Sequence, residues 1–132
     1  MKQIYGMDKG GNLKEALKGI SAPKLLLLMS NAKQFEQHVE ELEKAFPGVP
    51  SIGCIGGSYS GQTVQADDGV AVVALEGNLT VAANVLEQAS TMPVKYIGRL
   101  ETDLDTVKAS ENNTVCIDFC TGNDACVLTT IY

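Results

Sequence analysis

At 132 residues the chain has the length of one domain, and folding would bury roughly two-thirds of the surface that an unfolded chain of this size exposes. A hydrophobic share of 45% with 20% charged residues excludes intrinsic disorder, which requires few apolar residues and high charge. The net charge of −6, from ten Lys plus Arg against sixteen Asp plus Glu, leaves the basic residues scattered singly and argues against nucleic-acid binding.

Taken in chain order, Met1-Lys2-Gln3-Ile4-Tyr5-Gly6 lacks the apolar centre of a signal peptide. The longest apolar run, residues 25–29, is far too short to cross a bilayer. A cytoplasmic protein without membrane insertion is expected. Leu13, Ala16, Leu17 and Ile20 recur at helical spacing, with Asn12 as N-cap and Gly19 as breaker. Residues 24–29, introduced by Pro23, form a continuous apolar strand with both faces covered.

Ser30-Asn31 then turns the chain and caps a second helix. Its stripe is Phe35, Val39, Leu42 and Phe46, widened by Ala45, and Pro47-Gly48 stops it. A short strand over residues 49–54 completes a βαβ unit. Residues 69–76 and 79–86, separated by Gly77-Asn78, read as an antiparallel hairpin, with a helix over 79–88 as the alternative. Residues 92–100 read as a loop or edge strand, and residues 104–108 as one or two helical turns. Residues 114–119 read as another buried strand, with a turn over 120–123 and the start of a helix from Asp124. The predicted architecture is α/β: an open mixed sheet with a βαβ unit, a hairpin and a further buried strand, helices packing on the sheet. With no stop signal before Tyr132, residues 1–132 are expected to be a single domain at the front of a longer protein.

Cys54, Cys116, Cys120 and Cys126 include no CxxC pair, and the single histidine, His38, is distant in sequence, so the spacing gives little support to zinc. Reduced, buried thiols are the default, and no cofactor is implied. The richest stretch is Ile52-Gly53-Cys54-Ile55-Gly56-Gly57-Ser58-Tyr59-Ser60-Gly61, where glycines admit close backbone approach and three hydroxyls follow. It leaves the carboxyl end of a strand, where open α/β sheets place ligands. It matches neither a dinucleotide fingerprint nor a P-loop, since the third glycine is misplaced and no lysine follows. Thr121-Gly122-Asn123 and Ser30-Asn31 follow two other predicted strands. The candidate ligand-binding set is therefore Ser30, Asn31, Cys54, Gly56, Gly57, Ser58, Tyr59, Thr121, Gly122 and Asn123. Asp67-Asp68-Gly69 reads as a turn, with too few oxygen ligands nearby for a metal.

The run Phe46-Pro47-Gly48-Val49-Pro50-Ser51-Ile52-Gly53-Cys54, followed by Asp68-Gly69-Val70-Ala71-Val72-Val73-Ala74-Leu75, resembles the FIST sensory domain over about residues 24–75. The resemblance implies a non-enzymatic input module of signal transduction. Such a module would bind a small ligand, such as an amino acid, and act on a histidine kinase, a chemoreceptor region or a cyclic-dinucleotide enzyme. Two other functions fit the residues. One is a thiol-dependent hydrolase using Cys120 or Cys126, for which His38 is the only imidazole base. The other is a non-catalytic interaction domain in which the glycine turns are only architectural.

Overall fold

The computed structural model describes residues 1–56, 59–60, 63–64, 68–87 and 94–119. The chain divides into two compact units, Met1–Val81 and Ala82–Tyr132.

The first unit carries an open mixed sheet of four strands. These are β1 (Lys2–Asp8), β2 (Pro23–Ser30), β3 (Ser51–Ile55) and β6 (Val70–Glu76), in the order β1-β6-β2-β3. Strand β6 is antiparallel to both its neighbours, and β2 and β3 run parallel. Between them lie helices α1 (Leu13–Ala16) and α2 (Phe35–Ala45) and a two-stranded ribbon, β4 (Tyr59–Ser60) with β5 (Thr63–Val64). The α/β reading and the β2-α2-β3 unit are thus present.

Local chemistry explains the helix ends. The Asn12 side chain accepts from the Lys14 amide at 3.1 Å and caps α1. After α2, Phe46 leaves the helical conformation (φ −133°, ψ 71°) ahead of Pro47, and Gly48, at φ +76°, completes the turn in which the Val49 amide donates to the Phe46 carbonyl.

The core gathers Leu13, Ala16 and Ile20 from α1 and the segment after it, Leu42 from α2, and Leu26, Leu28, Val70, Val72 and Ala74 from the sheet. Leu26 and Leu28, each 1% exposed, contribute about 1.5–3 kcal/mol apiece by burial. On the opposite sheet face Leu25 and Ala71 are buried too, as the unbroken apolar run of β2 requires. Both helices come close to the sheet over glycines in one cross-strand row, Gly6–Val72–Leu28–Gly53. A Cβ on Gly6 would overlap the Ala16 carbonyl oxygen, and one on Gly53 would meet the Phe35 ring at 3.4 Å.

Strand β6 ends on Glu76, whose Oε1 accepts from the amides of Ala22 (3.0 Å) and Ser21 (3.1 Å), and so anchors the segment leading into β2. Those donors, Ala22 first, hold the Glu76 carboxyl below its ordinary value of 4.5, against a smaller opposing effect of desolvation. A carboxyl with a lowered folded pKa stabilises above its unfolded value, and that contribution is lost as pH falls through the lowered one. Glu76→Gln is therefore expected to be less stable than wild type at neutral pH. The gap should close as pH falls below about 4.5, a convergence that urea titrations at several pH values would show. A pH-independent gap would mean that the charge on Glu76 contributes nothing.

Four expectations need correction. Residues 79–86 form neither strand nor helix. Strand β6 cannot make a hairpin with them because its two edges are taken by β1 and β2. Its antiparallel neighbour β1, with Gly6 and polar residues in an edge position, carries too weak an apolar pattern to announce itself. In α2 the buried positions are His38 and Leu42, whereas Val39 is 40% exposed and Ala45 is exposed. Registering the helix on its larger apolar residues therefore misplaced its inner face.

The second unit contains α3 (Val94–Val107), a continuous helix where a loop or edge strand and then one or two turns were expected. Val94, Ile97, Leu100, Leu104 and Val107 fall at intervals of three and four, which outweighs the helix-weakening Gly98. Residues 114–119 are not in a strand, and Val115 is 83% exposed. Their β-branched residues favour extension, but a strand also needs a neighbour to receive its backbone hydrogen bonds. Among the described residues, no helix is long and apolar enough to cross a membrane.

Candidate functional site

The strand register brings Asp8, Val70, Ser30 and Ile55 into one row at the end of the sheet. The carboxyl ends of β1, β2 and β3 and the amino end of β6 thus share a rim. Parallel pairing of β2 with β3 sets Asn31 and Gly56 side by side, and the Gly56 amide donates to the Ser30 carbonyl at 3.1 Å. Two of the predicted segments, Ser30-Asn31 and the start of the glycine turn, therefore meet. Cys54 lies one register step back, opposite Met29, as a half-buried free thiol. Tyr59 belongs to the β4–β5 ribbon. Gly57, Ser58, Thr121, Gly122 and Asn123 lie outside the described residues, as do Cys120 and Cys126.

At this rim the side chains of Ser30, the last residue of β2, and of Asn31, the next residue, face inward. Ser30 is fully buried and Asn31 is 6% exposed. Asn31 accepts from the Gln34 amide at 3.0 Å through Oδ1. Its Nδ2 donates to Gln34 Oε1 (3.1 Å), the Asp68 carbonyl (3.0 Å) and the Gly69 carbonyl (3.3 Å). One amide thus ties the first turn of α2 to the segment preceding β6. The nearby Lys33–Asp68 ion pair, 3.3 Å long and exposed, adds little.

His38, one turn into α2, is buried at the same rim. It is 0% exposed, and its ring bridges two elements: Nδ1 lies 2.6 Å from Ser30 Oγ and Nε2 lies 2.8 Å from the Gly11 carbonyl oxygen. A carbonyl oxygen only accepts, so Nε2 carries the hydrogen. In the neutral ring Nδ1 then accepts from the Ser30 hydroxyl. The Asn31 carbonyl, 3.1 Å from Ser30 Oγ, is the hydroxyl's alternative acceptor. The signal for His38 was its spacing, three residues after Phe35 and four before Leu42, which places it on the inner face of the stripe.

Gly11 closes the rim from the other side. It is buried with φ +79°, and a Cβ there would overlap Gln34 Oε1 and lie 2.6 Å from the Asp68 carbonyl oxygen. The loop carrying it is braced by Asp8 Oδ2, which accepts from the amides of Gly10 (3.1 Å) and Asn12 (2.7 Å). Outside the loop lies a polar depression of about 280 Å³, lined by Gly10, Gly11, Asn12, Leu13, Gln34, Gln37 and Glu41.

The chemistry on offer is recognition by amides, a hydroxyl and an imidazole. Among the described residues no group of three or more His, Cys, Asp or Glu side chains is placed to hold a metal ion. In the second unit the exposed Cys116 thiol donates to Asp118 Oδ1 at 3.2 Å. Partial burial, and then the adjacent carboxylate, push its pKa up, which makes it a weak nucleophile at neutral pH.

Comparison with curated proteins and with solved structures gave no significant match. A family model, that of the FIST N domain, matches residues 24–132, which takes in α2, the β2–β3 rim and the whole of the second unit. The match covers more than half of the chain, and the protein therefore belongs to the FIST N family of sensory domains.

Proposed function

We propose that this chain is a cytoplasmic, non-enzymatic input domain, the front part of a longer signalling protein. It binds a small polar metabolite such as an amino acid at the strand-end rim and passes a conformational signal to a downstream histidine kinase or chemoreceptor region. The observation that carries the reading is the pairing of β2 with β3, which sets Ser30-Asn31 beside Gly56 where open α/β sheets take their ligands. Glycine amides at the turn, with the Ser58 and Tyr59 hydroxyls, supply the recognition. Ser30 and Asn31 form the floor, and Cys54 stands one step beneath. Binding shifts the population of rim conformations, and that shift is the signal.

The thiol-hydrolase alternative draws less support. The only histidine in the chain is His38, and both of its ring nitrogens are engaged, by Ser30 and Gly11. A nucleophilic cysteine would need that ring as its base.

A thermal-shift screen of the full-length protein against amino acids and other small polar metabolites tests the proposal. A ligand present at a hundred times its Kd stabilises by about 2.7 kcal/mol, enough to raise the midpoint by several degrees. A panel that moves nothing at millimolar concentration would count decisively against it.

A further inference from the structure

We propose that the outer edge of β1 pairs with β1 of a second copy of this chain, antiparallel about a twofold axis through Tyr5, so that one sheet continues across a homodimer.

Among the described residues, the sheet order β1-β6-β2-β3 gives β1 a single strand neighbour, β6. An open sheet edge presents a row of backbone amides and carbonyls, which soluble proteins commonly blunt with proline, a bulge, charges along the strand or a very short strand. Strand β1 uses none of these devices. It is seven residues long, contains no proline and keeps an unbroken register with β6 from Lys2 to Asp8. Its only charged residues, Lys2 and Asp8, stand at its two ends.

Those end charges make the strand complementary to itself. With Tyr5 on the axis of a symmetric antiparallel pair, Lys2 falls opposite Asp8 of the partner subunit and Asp8 opposite the partner's Lys2. Tyr5, 45% exposed, falls opposite the partner's Tyr5, and Ile4 opposite the partner's Gly6. Directly opposed residues share a sheet face with their Cβ atoms about 4.5–5.5 Å apart, within reach of an ion pair at each end and an aromatic contact at the centre. Moving the axis to Ile4 or Gly6, the next registers that keep the two faces aligned, removes both ion pairs. Through Oδ2, Asp8 also accepts from the Gly10 and Asn12 amides, so each end pair stands beside the rim.

Sedimentation equilibrium of the 132-residue chain should show a monomer–dimer equilibrium. Tyr5→Lys sets like charges face to face on the axis and should weaken the dimer about tenfold or more, with circular dichroism and the urea midpoint those of wild type. Lys2→Glu should weaken it severalfold at low salt and less at high salt, because the pairs it breaks are screened at an exposed edge. Photo-oxidative coupling of the wild type should join Tyr5 to Tyr5 of another copy, read by mass spectrometry as a dityrosine peptide. The proposal is overturned if the wild type is monomeric up to millimolar concentration, the result expected if another segment of the same chain caps the edge. A dimer that Tyr5→Lys leaves intact, or whose coupled peptides never join Tyr5 to Tyr5, overturns it as well. Should Tyr5→Lys not fold, Lys2→Glu and the coupled peptides decide.

Discussion

Replacing Gly6 by valine is expected to lower the free energy of unfolding by about 3 kcal/mol or more, the upper end of the usual overpacking range. Gly6 sits in β1 beneath α1, and a Cβ there would overlap the carbonyl oxygen of Ala16, with the Ala16 Cα 3.4 Å away. The obstacle is main chain, so no side-chain rotamer relieves it. Helix α1 would have to lift, exposing Leu13 and Ala16, which are 1% and 0% exposed. Gly6→Ala should show a smaller loss of the same kind. Gly10→Ala is the control: its added Cβ meets only Asp8 Oδ2 at 3.4 Å, so it should stay within about 0.5 kcal/mol of wild type. Urea unfolding of the three variants measures the differences. Equal losses for Gly6→Ala and Gly10→Ala would contradict the close packing of α1 on β1.

His38→Phe is expected to cost about 2–3 kcal/mol although ring shape and burial are nearly preserved. The phenyl ring cannot donate to the Gly11 carbonyl, and a buried acceptor without its partner costs about 1–3 kcal/mol. Ser30 suffers less, because its hydroxyl can turn to the Asn31 carbonyl. Glutamine at position 38 offers a side-chain amide close to the place of Nε2. His38→Gln should therefore recover about 1 kcal/mol relative to His38→Phe. In a double-mutant cycle, Ser30→Ala and His38→Phe should be non-additive by about 0.5 kcal/mol or more, since each removes one end of the same 2.6 Å contact. Additive losses together with equal costs for Phe and Gln would show that the bridge does not stabilise the rim.

These two sites differ in what they do for the rim. Gly6 lets α1 lie on the sheet, and that placement brings the loop carrying Gly11 over the strand ends. The His38 ring then fastens the loop to α2 and β2. The second of these fastenings is a hydrogen bond, and the first is close packing of main chain on main chain.

Where one short segment contained all the physics, sequence alone was sufficient. The apolar run of β2, the Asn12 cap, the helix stop at Pro47-Gly48 and the βαβ order follow from local pattern and backbone preference. So does the family, because the segments from Phe46 to Cys54 and from Asp68 to Leu75 lie within the matched region. Strand-end placement of Ser30, Asn31 and Gly56 was legible for the same reason, since a βαβ unit implies parallel neighbours with their carboxyl ends together. Tertiary structure decided the rest. Strand β6 pairs with β1 and not with residues 79–86, because hydrogen-bonding edges are claimed by whichever segment reaches them and propensity does not name the claimant. His38 turns inward because two polar partners far apart in sequence, Ser30 and the Gly11 carbonyl, meet at the one place where its ring can satisfy both. No periodicity records a meeting of that kind, since it exists only once the sheet, the loop carrying Gly11 and the helix are assembled.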